Sequence, residues 1–218
     1  YFMSLAGYIS PRELKDLLIS LAALVIAFSV LIGGRSIPGL EMILTIALGV
    51  GTGFILHEMA HKFVALRFGY MAEYRANMTG LLLAVVLSFA GFIFAAPGAV
   101  MIRKPRLPEE FYGREPWGQA RLAAQLRNES LRISLAGPLT NIVLSVAFFV
   151  LLLLSPSGGV VGRAASFGLM INLTLAAFNL LPFGPLDGKK IFDSSRRAWF
   201  IVGLPTILLG LSIYLRMI

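Results

Sequence analysis

Apolar residues along the chain gather into six long runs, at roughly 14–32, 42–66, 81–101, 131–154, 163–181 and 198–215, and the charged residues collect in the short intervals between them. Most of the runs come close to the ~20 residues that a helix needs to cross the hydrocarbon core of a bilayer. The pattern predicts an all-α polytopic membrane protein with about five to six transmembrane helices. The first run, from Leu17 to Ile32, is long and has no convincing small-residue cleavage site after it, so it reads as a span rather than a cleavable signal peptide. The main polar interval, Arg103–Asn128 (RKPRLPEEFYGREPWGQARLAAQLRN), is too short for a domain. It reads as a proline-broken surface loop followed, from about Trp117, by an amphipathic turn at the membrane interface. No internal repeat or low-complexity segment interrupts this plan. Residues 1–218 thus read as a single transmembrane domain, with its core over about 42–193 and a loop over about 103–130.

Composition agrees with that class. The chain is 57% hydrophobic and 14% charged, with a mean hydropathy of +0.82, whereas soluble domains are about half apolar and about a quarter charged. The net charge of +8 would suit nucleic acid, but the basic residues lie between apolar spans, where anionic lipid headgroups are their neighbours. No cysteine is present, which excludes disulfides and thiolate metal sites.

One run carries polar chemistry. In Gly53–Phe63 (GFILHEMAHKF) the only two histidines of the chain, His57 and His61, stand four residues apart, with Glu58 beside the first. On a helix they fall one above the other on one face. That spacing lets two imidazoles bind one metal ion while the adjacent carboxylate reaches a water on it. A His pair can also simply hydrogen-bond across a helix bundle. The membrane weighs against that alternative: an ionisable residue inside a span costs about 2.5–3.5 kcal/mol even on insertion scales, so three together call for a compensating partner, and a divalent cation is the simplest.

Two histidines leave zinc one protein ligand short of the usual three. With no third histidine, an Asp or Glu must serve. Most of the 11 acidic residues sit in polar intervals. Asp187 differs, because it lies in Phe178–Gly188 (FNLLPFGPLDG), directly after an apolar run. Pro182 and Pro185 break the helix there, and Gly184 and Gly188 relax the backbone, so Asp187 can be aimed inward. A turn Asp before Gly is common and would be the ordinary reading elsewhere; the missing ligand favours the sharper one.

HEMAH in one span and LPFGPLDG after a later one resemble the site-2 protease family of intramembrane zinc metalloproteases, whose pattern is HExxH with a distal Asn-x-x-Pro…Asp-Gly. The resemblance covers about residues 42–193 and implies one Zn²⁺ held by His57, His61 and Asp187, with Glu58 as catalytic base. Asn179, Pro182 and Gly188 match the distal motif. Leu135–Asn141 (LAGPLTN) resembles the family's Ala-Gly-Pro segment, which makes Asn141 a candidate hydrogen-bond donor near the metal. Asn141 and Asn179 are the candidates for contact with the substrate backbone or the oxyanion. Lys189 stands where the family often has a second glycine, and no segment resembles a PDZ domain. The resemblance further implies transmembrane protein substrates, a place in regulated intramembrane proteolysis, and the plasma membrane of a prokaryote.

If His57, His61 and Asp187 share one metal, the runs 42–66 and 163–181 must point the same way, and 131–154 the opposite way. Segment 81–101 then cannot make a single crossing; it must re-enter or form a β-hairpin. Charge favours this course. With six simple crossings the Lys and Arg residues divide 12 to 7, and with a returning segment they divide 16 to 3. The positive-inside rule prefers the second division, with the N-terminus, the metal motifs and the basic loop cytoplasmic. Ala90-Gly91 and Ala95–Ala99 offer breaking points, although the 22 residues of 81–102 are long enough to span.

Gly98–Ile102 is the expected strand for an extended substrate. Ser134, Thr140, Asn141 and Asn179 are candidates to line a water path, with main-chain hydrogen bonding the equal alternative for Ser134 and Thr140, and Asn172 reads as a helix-gluing residue. Zinc rather than iron or cobalt follows from ligand type. The rival class is a non-catalytic membrane protein, either a metal-ion transporter or a pseudoprotease that binds partners. A transporter usually carries several ligand sets and a His-rich loop, and mere binding does not need Glu58.

Overall fold

A computed structural model describes residues 9–34, 38–93, 97–103, 116–156 and 159–214. Seven helices and two strands follow in the order α1 (Pro11–Gly33), α2 (Leu40–Arg67), β1 (Met71–Ala76), α3 (Met78–Ser88), β2 (Gly98–Arg103), α4 (Pro116–Leu154), α5 (Val160–Asn179), α6 (Asp187–Ser194) and α7 (Arg196–Tyr214). Among the described residues five helices, α1, α2, α4, α5 and α7, are long and apolar enough to cross a membrane. The protein is an all-α, multi-pass membrane protein with one small sheet.

Segment 81–101 does not cross. Asn77 caps α3 by accepting the Gly80 N–H at 3.1 Å, and the helix ends at Ser88 after 11 residues, about 16 Å of rise against a core of about 30 Å. The chain then comes back, because β2 pairs antiparallel with β1 and the Asn77 N–H donates to Pro97 O at 2.9 Å. The excursion thus starts and finishes at one level. Two expectations fall partly outside the described residues, namely the Ala95–Ala96 breaking point and the proline-broken loop 104–115.

The amphipathic turn expected from Trp117 is the start of a longer element: the chain enters α4 at Pro116 and stays helical for 39 residues. The stretch 119–127 is rich in Ala, Leu, Gln and Arg, all strong helix formers, and no Gly or Pro interrupts it before Gly137-Pro138.

The main apolar core joins Leu17, Leu24 and Phe28 of α1, Ile46, Val50 and Phe54 of α2, Tyr74 of β1, Ala84 of α3 and Ile171 of α5. Where α2 meets α5 the helices touch through glycine: a Cβ on Gly49 would lie 3.6 Å from the Gly168 Cα. Small residues allow such close approach where lipid gives no hydrophobic drive between helices.

The sheet is fastened differently. The hydrogen bond from Asn77 to Pro97 sets the alternation of the ladder. Glu73 and Arg75 turn their main-chain groups toward β2, and Tyr74 and Ala76 turn theirs away. Helix α1 meets those outward groups with carboxylates: Glu13 Oε1 accepts the Tyr74 N–H at 3.0 Å and Asp16 Oδ2 accepts the Ala76 N–H at 3.4 Å. Two acids on α1 thereby stand in for a third strand and close that edge of the sheet.

Candidate metal centre and cleft

Helix α2 runs past α4 with His57, Glu58 and His61 buried, 4%, 7% and 6% exposed. The third acid arrives from the far end of α5. That helix stops at Asn179, the chain turns through Pro182, Gly184 (φ +63°) and Pro185, and Asp187 opens α6. Gly188 is needed there, since a side chain would run into the carbonyls of Leu180 and Leu181. The Trp199 Nε1–H of α7 donates to Leu180 O at 2.8 Å and pins the corner.

These elements bring three donor atoms together. His61 Nε2 lies 3.1 Å from His57 Nε2 and 2.8 Å from Asp187 Oδ2, and His57 Nε2 lies 3.3 Å from the same oxygen. Each imidazole uses its other nitrogen elsewhere. His61 Nδ1 is 2.7 Å from the Ile133 carbonyl, and His57 Nδ1 is 2.7 Å from Asn141 Oδ1. Both partners are acceptors, so Nδ1 carries the proton and Nε2 is bare in the neutral ring. Two bare nitrogens and a carboxylate oxygen thus face one point. A single proton can serve one of these contacts at full strength; a divalent cation serves all three. Space is kept for it, because a side chain on Gly137 of α4 would collide with both Nε2 atoms. The donor set and the clearance fit a zinc ion.

The other predicted residues divide. Glu58 faces the same cleft, a cavity of about 770 Å³ bounded on another side by Gly98–Ile102 of β2. Asn179 lines it too, with Nδ2 donating to Leu175 O at 3.0 Å. Asn141 sits behind His57, fully buried, with its Nδ2 turned to Gly53 O (3.5 Å) and Asn172 Oδ1 (3.4 Å). Ser134 lines the cleft, whereas Thr140 bonds Ala136 O at 2.9 Å.

Sequence reasoning missed three residues near the site. Lys62, beside His61, is 2% exposed and donates to Glu13 Oε2 at 2.5 Å, which ties α2 to α1. A lysine within an apolar span demands a counter-charge, and that signal could have found the pair. Lys190 reaches Asp187 Oδ1 at 3.3 Å and lines the cleft. Gly137 is legible only once the helices are packed.

Long apolar helices around a buried His–His–Asp donor set define a class, the multi-pass membrane proteins built about a metal centre. The sequence profile of Peptidase family M50 matches residues 45–167. A protein of Methanocaldococcus jannaschii named "Putative zinc metalloprotease MJ0611" is 38% identical over 209 residues, 94% of this chain and 95% of that protein. "Putative zinc metalloprotease YwhC" of Bacillus subtilis is 32% identical over 163 residues, 64% of each. No solved structure gives a significant match. The chain belongs to peptidase family M50, the site-2 protease family.

Proposed function

We propose that the protein is an intramembrane zinc metalloprotease that hydrolyses peptide bonds of transmembrane proteins in the plasma membrane of a prokaryote. The division of Lys and Arg, 16 to 3, supports an active site toward the cytoplasm, and proteolysis within the membrane suits a regulatory cut. One observation carries the reading: the convergent nitrogens and carboxylate lie in the same cleft as a strand edge that pairs with no other strand among the described residues. His57, His61 and Asp187 hold the ion, which supplies Lewis acidity at that point.

The other steps belong to the chain. In β2, Ala99 and Met101 are paired with β1, so Gly98, Val100 and Ile102 turn their main-chain groups outward. A substrate segment that unwinds locally pairs with that edge as an added strand. Glu58, next to His57, takes a proton from the attacking water as the new C–O bond forms, then returns it to the amine as the C–N bond breaks. Asn179 keeps a second amide N–H to hold the substrate carbonyl. Asn141 orients His57 from behind rather than touching the substrate.

The test uses proteoliposomes, with β-casein and a panel of model transmembrane peptides as probes. Wild type should cleave, while Glu58→Gln should lose about 10²–10⁴-fold in rate with its bound zinc retained. Full-rate cleavage by Glu58→Gln contradicts the mechanism. Zinc uptake by the liposomes, unchanged in the variant, would favour the transporter.

A further inference from the structure

The two histidines receive their tautomers by different routes. A main-chain carbonyl can only accept, so Ile133 O fixes the His61 proton on Nδ1 directly. The partner of His57 is Asn141 Oδ1, one end of a primary amide whose other end is a donor. Turned by half a rotation, that amide would offer N–H to Nδ1 and drive the imidazole proton to Nε2, the nitrogen that faces His61 and Asp187.

What opposes the rotation lies one helix farther out. Asn172 of α5 is fully buried, and its Nδ2 donates to the Gly168 carbonyl at 2.8 Å. Because that carbonyl accepts only, Asn172 Oδ1 must turn the other way, where the Asn141 Nδ2 meets it at 3.4 Å. The second acceptor of Asn141, Gly53 O, is four residues before His57 and already takes a helical hydrogen bond within α2. Gly53 also gives Asn172 its seat, since a Cβ there would lie 2.9 Å from Asn172 Oδ1. Polarity therefore passes in sequence from Gly168 O through two amides to the imidazole.

We propose that Asn172 is a positioning residue for the metal centre: it sets the rotation of the Asn141 amide, and through it the tautomer of His57 and the affinity for a divalent cation. This rests on His57, His61 and Asp187 being the metal ligands, and it replaces the helix-gluing role that the sequence suggests for Asn172.

The full chain, purified in detergent and stripped with a chelator, is titrated with Co²⁺ while the visible absorption band of the bound ion is followed. Wild type should bind one Co²⁺. Asn172→Leu should bind about 10–100-fold more weakly, as outer-shell partners of metal ligands do. Asn172→Asp, protonated in its buried setting, can accept from Asn141 and donate to Gly168 O, and should keep wild-type affinity. Asn141→Asp, unlike an Asp at position 172, faces the His57 Nδ1–H and is kept as a carboxylate by it, so it offers His57 an acceptor whichever way the group turns. Added to Asn172→Leu it should restore the affinity of the Asn141→Asp single variant, a suppression that helix gluing would not produce. The proposal is overturned if Asn172→Leu binds like wild type, or if the double variant is as weak as Asn172→Leu. A wild type that binds no Co²⁺ overturns the metal reading itself, and this inference with it. Should Asn172→Leu fail to fold, Asn172→Ala, which removes the acceptor without adding bulk, takes its place in the same comparisons.

Discussion

The metal half of the molecule and the strand half are held by opposite means. Around His57, His61 and Asp187 the helices α2, α4 and α5 approach through Gly49, Gly53, Gly137 and Gly168, and neutral groups fix the polarity of each imidazole. Around β1 and β2 the fastening is ionic: Glu13, Asp16, Lys62, Glu73 and Arg75 grip one another and the outward amides of β1. The difference teaches what each half is built for. Close packing with a neutral partner behind each imidazole leaves three donor atoms facing one point. The ionic clasp closes one edge of the sheet, and the other edge, which faces the cleft, pairs with no other strand among the described residues.

Breaking each half should give separable results. The largest effect belongs to Asp187→Ala, which removes one of the three donors. Zinc content by mass spectrometry should fall from one ion per chain to background and cleavage should vanish, while amide exchange in β1 and β2 stays as in wild type. Next comes Glu13→Ala, which breaks the buried Lys62–Glu13 ion pair and frees the Tyr74 N–H; breaking such a buried pair costs about 3–5 kcal/mol, read by steric-trap unfolding in bicelles. Glu13→Gln with Lys62→Met, which leaves no charge behind, should recover most of that loss, and equal instability in the double variant would count against the ionic clasp. A smaller effect is expected from Val100→Pro, which deletes one outward donor from β2: kcat/KM for a transmembrane peptide should drop by about 2–10-fold, the worth of one hydrogen bond, with zinc content untouched. The smallest is Thr140→Val. Its hydroxyl only bonds back to Ala136 O, so stability should shift by less than about 0.5 kcal/mol and cleavage should not change.

Much of this was legible in the sequence because the relevant signals are local. Apolar length marks a span wherever it occurs, and the i, i+4 spacing puts His57 and His61 on one face whatever the neighbours do. Asp187 was found by elimination together with the prolines that break α5. The return of segment 81–101 followed from charge and from requiring one metal. The residues that escaped are those whose meaning depends on partners far away in the chain. Glu13 reads as a loop acid until α1 packs beside Lys62, 49 residues on. Met71–Ala76 shows its strand character only against β2. Asn141 is marked by its Ala-Gly-Pro segment, but that Asn172 backs it, with its own amide held by the Gly168 carbonyl, shows only once α2, α4 and α5 are packed.

X-ray absorption at the zinc edge of the purified protein bears on the core of the account more directly than any activity. The spectrum should report two imidazole nitrogens and carboxylate oxygen around a single zinc, with the imidazole signal lost in a His57→Ala, His61→Ala double variant. A zinc environment without imidazole, or a wild-type spectrum that survives those substitutions, would mean that the convergence of α2 and α6 is ordinary packing and not a metal centre.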